Sequence, residues 1–130
     1  MSSIFSKIIK GEIPCYKVAE DEAFFAFLDI HPLARGHTLV VSKKEIDYYF
    51  DLEDDLFTAM NLFARKVARA IEKSVDCKRI GVVVMGLEVA HAHIHLVPLN
   101  DEGDLNFANP KVELSKEEYE EIARTISSNL

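Results

Sequence analysis

The stretch that most constrains this chain is residues 90–96, Ala-His-Ala-His-Ile-His-Leu, which sets imidazoles at 91, 93 and 95 and apolar side chains at 90, 92, 94 and 96. A period of two belongs to a β-strand, where successive side chains point to opposite faces. On a helix the same spacing would scatter the rings around the axis. The pattern therefore predicts a strand over His91–Val97, with a core on one face and a row of imidazoles on the other. Its outer two rings stand ~13 Å apart at a strand's rise per residue. Pro98 cannot donate to a ladder and is expected to end the strand. Three of the chain's five histidines lie in this row.

The rest of the chain has to supply that core. At 130 residues a single domain over 1–130 is expected, and its 48% hydrophobic and 28% charged residues suit a globular fold. A net charge of −7 argues against coating nucleic acid or an anionic membrane, while a small anionic substrate would need a locally arranged site. The apolar run Ile80–Leu87 is far below the ~20 residues that span a bilayer. The opening MSSIFSKIIKGEIP lacks a signal peptide's apolar run, and a cytoplasmic protein is expected. Cys15 and Cys77 make no disulfide framework.

Phe5, Ile8 and Ile9 follow helical spacing until Gly11 and Pro14 stop it. Cys15–Glu20 and Ala23–Ile30 read as a hairpin around Asp21, and His37–Ser42 as a third strand after the loop 31–36. Asp51 reads as the N-cap of a long amphipathic helix whose Leu56, Met60, Phe63, Val67 and Ile71 recur every three or four residues. Arg79–Met85 is a fourth strand beside the histidine strand. A polar loop over 98–114 is long enough to suspect function. Ser115 and Glu118 form a capping box for a last helix carrying Tyr119, Ile122 and Ile126. Five strands without βαβ alternation predict an α+β fold with a mainly antiparallel sheet.

Three chemistries compete for the histidine row. It can be structural or surface histidine. It can be a metal site, since His-x-His on a strand chelates zinc and a third ligand could come from His37, His31 or Asp29. Or one imidazole is a nucleophile whose neighbours fix its tautomer and bind substrate charge. A phosphorus centre suits the last, because a phosphoryl–imidazole bond is reactive enough for water to complete the turnover.

His91-Ala-His93-Ile-His95-Leu-Val97 resembles the signature of the histidine-triad nucleotide-binding proteins. Ile4-Phe5-Ser6-Lys7-Ile8-Ile9-Lys10-Gly11-Glu12-Ile13-Pro14 is similar to the opening of that family's nucleoside-phosphoramidase (Hint) branch. Phe27-Leu28-Asp29-Ile30-His31-Pro32, followed by Gly36-His37-Thr38-Leu39-Val40-Val41, resembles its ribose loop and next strand. The likeness covers residues 4–98 in matching order, with 98–130 divergent. It implies two main helices on a five-stranded antiparallel sheet, paired across two copies into a homodimer with a continuous ten-stranded sheet. It implies a purine nucleotide hydrolase or transferase cleaving P–N or P–O bonds at the α-phosphate. Candidate substrates are nucleoside 5′-phosphoramidates, aminoacyl-adenylates and dinucleoside polyphosphates. Carried onto this chain, His93 is the nucleophile forming a nucleotidyl intermediate, and His91 orients it through its backbone carbonyl. His95 and His37 contact the phosphate and leaving group. Asp29 accepts hydrogen bonds from the ribose hydroxyls. Phe5, Ile8, Ile13 and Phe27 form the slot for the base. No cofactor and no resident metal are expected.

The chain also departs from the family. Some relatives open with Cys-x-x-Cys and bind a structural zinc, whereas Ser3 and Ser6 stand at those positions. The hairpin before the triad is short, and Glu88 replaces a serine or threonine near the leaving group. An unbroken strand would turn Glu88 to the face opposite the histidines. With the register broken at Gly86 and the short turn, it is expected near the pocket rim, favouring a cationic leaving group. Asp101-Glu102-Gly103-Asp104 is unlike the branch's usual tail. Besides the hydrolase, two readings stay open: a nucleotide-binding or interaction module with little turnover, and a metal-dependent hydrolase using the histidines as ligands.

Overall fold

The structure, a computed structural model, describes residues 2–130. It is an α+β fold in which a five-stranded antiparallel sheet is flanked by three helices. The strands are β1 (Lys17–Glu20), β2 (Phe24–Leu28), β3 (Thr38–Ser42), β4 (Arg79–Val83) and β5 (His93–Leu99), arranged β1-β2-β3-β5-β4. The helices are α1 (Ile4–Ile9), α2 (Asp54–Ser74) and α3 (Lys116–Ser128). Among the described residues no helix is long and apolar enough to cross a membrane.

Both faces of the sheet's centre are covered, which explains why β2 and β3 are buried at every position. On the larger side Phe24, Ala26, Leu28, Val40, Ile94 and Leu96 pack against Met60, Phe63, Val67 and Ile71 of α2 and Ile122 and Ile126 of α3. On the other side Phe25, Phe27, Leu39 and Val41 pack against Phe5 of α1. Burying a side chain of this size contributes about 1.5–3 kcal/mol, so the short α1 is held by its docking rather than by its own propensity.

Three expectations are corrected. His91 lies outside the strand: β5 begins at His93, and the Ala92 amide donates to the Ile46 carbonyl at 2.7 Å instead of joining the ladder. Pro98 does not end β5, because it pairs in register with Ile80 of β4. The Lys78 amide donates to the Leu99 carbonyl, so by strand alternation the groups of Pro98 face the side of β3, whose pairing has already stopped at Thr38↔Leu96. Asp51 closes a 3-10 turn, and α2 starts three residues later, at Asp54 behind Glu53, which makes no side-chain cap. The capping box of α3 forms as the sequence predicts, with Ser115 and Glu118 bonded to each other's amides at 3.1 and 3.0 Å. Cys15 and Cys77 are free thiols.

Candidate active site

Strand pairing at the middle of the sheet builds the site. His93 stands opposite Val41 and His95 opposite Leu39, so both rings project on the α1 side. The two rings meet edge-to-face with centroids 5.1 Å apart, and Phe5 of α1 presses on His93 at 4.9 Å. His37, one residue before β3, closes the group from the other side. All four histidines, 37, 91, 93 and 95, are buried. A buried polar atom left without a partner costs about 1–3 kcal/mol, and among the described residues no buried side-chain nitrogen or oxygen lacks one.

Those partners fix where the protons sit. His93 Nδ1 lies 2.7 Å from the His91 carbonyl, which can only accept, so Nδ1 carries the hydrogen and the Nε2 lone pair is free. The Leu33 amide donates to His37 Nδ1 at 3.0 Å, so the hydrogen of His37 is on Nε2. That nitrogen is 3.0 Å from His95 Nδ1, which must accept, leaving His95 with Nε2–H as a donor. One backbone carbonyl and one backbone amide thus turn two neighbouring imidazoles into opposite tautomers: a nucleophile and a hydrogen-bond donor.

Electrostatics keep the cluster neutral. Burial pushes His95 down to about 4, assisted by His37 and His93 beside it. Burial also lowers His93, opposed by its bond to the His91 carbonyl and by the charges of Asp29 and Glu88. His37 is lowered by burial, with Asp29 opposing and Lys111 adding to the effect. A neutral His93 retains its lone pair at neutral pH.

The other sequence-predicted residues fall around this centre. Asp29, half-buried just after β2, holds the His31 amide on Oδ1 at 2.8 Å and sets Oδ2 3.5 Å from His37 Nε2. His31 itself is exposed. Phe5 and Phe27 pack at 5.6 Å with Ile8 against them. Ile13 is half-buried in the turn after α1, and among the described residues it is not part of that cluster. Glu88 is exposed, and its charge acts on His93 to oppose the effect of burial.

Two groups escaped the sequence reading. Phe107, from the loop after β5, lies edge-on to His95 at 5.0 Å and to His37 at 6.2 Å. Its only sequence signal is an aromatic inside the polar run DEGDLNFANP. The second is Glu45 with Ser3 and Ser6. Glu45 Oε1 accepts from the Ser3 amide at 2.7 Å and the Ser6 hydroxyl at 2.6 Å, and these two bonds hold its carboxyl down at about 2. Ser3 Oγ is 2.6 Å from His91 Nδ1.

Neither group of potential ligands favours a metal as it stands. Asp29, His37 and His95 bring one ligand atom each within 4.8 Å of one another. A metal there would displace the proton shared by His37 and His95 and would put a protonated Nδ1 against the Leu33 amide, donor against donor. At Ser3 and Ser6 the hydroxyls lack the charge and softness of the thiolates that hold zinc in Cys-x-x-Cys sites.

The chain is also similar to known proteins. The family model of the HIT domain matches residues 10–102. Adenosine 5′-monophosphoramidase hnt1 of Schizosaccharomyces pombe is 35% identical over 132 residues, covering 100% of this chain and 99% of that protein. A Hit-like protein involved in cell-cycle regulation from Bartonella henselae superposes with a TM-score of 0.84 at 31% identity, over 99% of this chain and 96% of the other. A zinc-bound histidine triad family protein from Mycobacterium smegmatis does so with 0.84 at 28% identity, over 99% and 93%.

Proposed function

The chain belongs to the HIT family, and from that premise we propose that it is a nucleotide hydrolase of the adenosine 5′-monophosphoramidase kind. It would take a purine nucleotide conjugate and cleave the P–N or P–O bond at its α-phosphate. The observation that carries this reading is the pair of opposed tautomers at His93 and His95. The Nε2 lone pair of His93 attacks the α-phosphorus and forms a P–N bond. The bond to the leaving group breaks, and its electron pair goes to the leaving amine or oxygen. The Nε2–H of His95 is the donor for the phosphate oxygen or the leaving atom. The nucleotidyl-imidazolium formed on His93 keeps Nδ1–H on the His91 carbonyl, which stabilises its charge. Water then attacks phosphorus and the P–N bond to Nε2 breaks, returning the lone pair to His93. The attacking water gives up a proton to solvent, which balances the proton the leaving group took from solvent as it departed. His91, with no exposed surface, acts through its backbone rather than by touching substrate.

Binding contacts follow the same layout. Asp29 has Oδ2 available for ribose hydroxyls, and Phe5, Phe27 and Ile8 offer an apolar wall to the base. Glu88 at the rim suits a leaving group that carries an amine. Edge strand β4, with Val82 exposed on it and Met85 and Leu87 exposed after it, offers an open edge for a second copy and supports the homodimer with its ten-stranded sheet. Activity rather than mere binding is favoured by His93, whose lone pair no protein group uses.

A panel of nucleoside 5′-phosphoramidates, aminoacyl-adenylates and dinucleoside polyphosphates tests the proposal. Wild type should release nucleoside monophosphate from at least one class. His93→Ala should lose several orders of magnitude in turnover while still binding the monophosphate, because the covalent route is gone and the ribose and base contacts are not. Near-wild-type turnover by His93→Ala would sink the mechanism.

A further inference from the structure

The N-terminal helix is tied to the histidine segment by a network that the phosphoryl transfer does not itself use. It begins at Glu45, in the turn after β3, whose carboxylate receives the Ser3 amide and the Ser6 hydroxyl. The Ser6 amide in turn donates to Ser3 Oγ at 3.0 Å, the N-cap bond of α1. Ser3 Oγ then reaches His91 Nδ1 at 2.6 Å, and His91 Nε2 lies 2.6 Å from the Ser42 carbonyl at the end of β3. A carbonyl only accepts, so Nε2 carries the ring's hydrogen and Nδ1 receives the Ser3 hydroxyl hydrogen. Both ring nitrogens are therefore held, one from α1 and one from β3. The same turn holds the next residue, through the Ile46 carbonyl and the Ala92 amide.

From this geometry we infer that Glu45, Ser3 and Ser6 form a hydrogen-bonded clasp of positioning residues that sets turnover by fixing His91, and through its carbonyl the proton of His93. The reason it bears on the rate is the sequence of contacts. His91 cannot turn its ring without leaving a buried nitrogen unpartnered. A shift of its backbone loosens the 2.7 Å bond that keeps hydrogen on His93 Nδ1. Once that bond loosens, the other tautomer, with Nε2 capped by hydrogen, becomes populated and cannot attack. The inference rests on the reading of His93 as nucleophile.

The test uses the full-length chain, an adenosine 5′-phosphoramidate with a simple alkylamine leaving group, and AMP as the binding probe. Ser3→Ala should lower kcat about tenfold, the scale of one lost hydrogen bond to a buried group, with the Kd for AMP within about twofold. Ser3→Thr keeps the hydroxyl and should recover most of the loss. Glu45→Ala should also lower kcat, and Ser3→Ala with Glu45→Ala should be no worse than Ser3→Ala alone, because both act through His91. In 15N-histidine NMR of the folded variants, the His93 signal should move away from the Nδ1–H tautomer. Unchanged kcat, or a loss seen only in AMP binding or thermal stability, overturns the clasp as a positioning device, since then α1 merely carries Phe5 or props the fold. Additive losses overturn it as well. Should Ser3→Ala not fold, Ser6→Ala and Glu45→Ala carry the same comparison. If His93→Ala is dead while Ser3→Ala matches wild type, the clasp alone fails. If His93→Ala is active, the nucleophile assignment fails, and the NMR tautomer still reports on the clasp.

Discussion

Lowering the pH from 7 to 5 should destabilise this protein by protonating its histidine cluster, and the size of the effect follows from the burial of one ring. His95 is depressed from the ordinary histidine value of 6.5 to about 4. Between those values the unfolded chain holds a proton that the folded chain refuses. Stability therefore falls as pH drops through 6.5, and the penalty is complete below the folded value. At pH 5 the linkage from His95 alone is about 2 kcal/mol, with a ceiling of roughly 3 kcal/mol at lower pH. His37 and His93 are lowered too and act in the same direction. Because the three rings touch, the proton enters the cluster as a whole rather than one ring. The lowered carboxyls of Glu20, Glu45 and Glu118 lose their contribution in a more acid window, since their unfolded value is 4.5. Urea unfolding at pH 7, 6 and 5 measures the loss. His95→Gln is the control, because its amide oxygen still accepts from His37 without titrating. Wild type should lose about 2 kcal/mol more than His95→Gln over this range. Activity should likewise hold down to a pH below 6.5 before its acid limb begins. Equal losses in wild type and variant would refute the account, as would activity that fails at or above the ordinary histidine value.

Two further substitutions probe the rim. Asp29→Ala should weaken ribonucleotide binding roughly tenfold or more, the cost of an unpartnered hydroxyl in a desolvated site, and should narrow any preference over the 2′-deoxy analogue; unchanged binding of both sugars would remove Asp29 from the ribose site. Glu88→Ser should speed hydrolysis of neutral or acidic leaving groups relative to amine-bearing ones, since a carboxylate ~5 Å from phosphate at an effective dielectric of 20 repels it by roughly 3 kcal/mol at most. Parallel changes for both classes, read as kcat/KM ratios, would place Glu88 outside the leaving-group path.

Periodic, locally encoded features were legible in the sequence. The amphipathic stripe of α2 and the capping box of α3 depend on residues a few positions apart, and both form as read. The strands β2 and β3 were legible as strands, but their double burial was not, because FFAFL and TLVVS give no polar alternation and the covering residue, Phe5, lies on a distant helix. The histidine strand was overextended by two residues at its start. Alternation of side chains continues through His91 whether or not its backbone joins a ladder, and the competing partner for Ala92, the Ile46 carbonyl, has no side-chain signature. Pro98 was misread for a similar reason. A proline breaks a ladder only on the side its nitrogen faces, and here that side has no strand left to pair. Phe107 was hidden because a ring in a polar loop declares no target until the loop folds onto His95.

The site's chemistry divides along the same line. What makes His93 a lone-pair donor and His95 a hydrogen-bond donor is supplied by the His91 carbonyl and the Leu33 amide, groups of the backbone rather than of side chains. Side-chain changes elsewhere in the site can therefore accumulate without reversing the tautomers, provided the backbone that carries those two groups stays in place. Among the positions where this sequence departs from the pattern it resembles, Ser3 and Ser6 join the hydrogen bonds between Glu45 and His91, and Glu88 is exposed. Neither kind of change touches the atoms that order the protons. In the proposed reading the brace tunes how firmly the tautomer is held and hence the rate, while Glu88 selects which conjugate is turned over. Rate and leaving-group preference should then respond to separate substitutions, with Ser3→Ala moving kcat for every leaving group alike and Glu88→Ser moving the ratio between them.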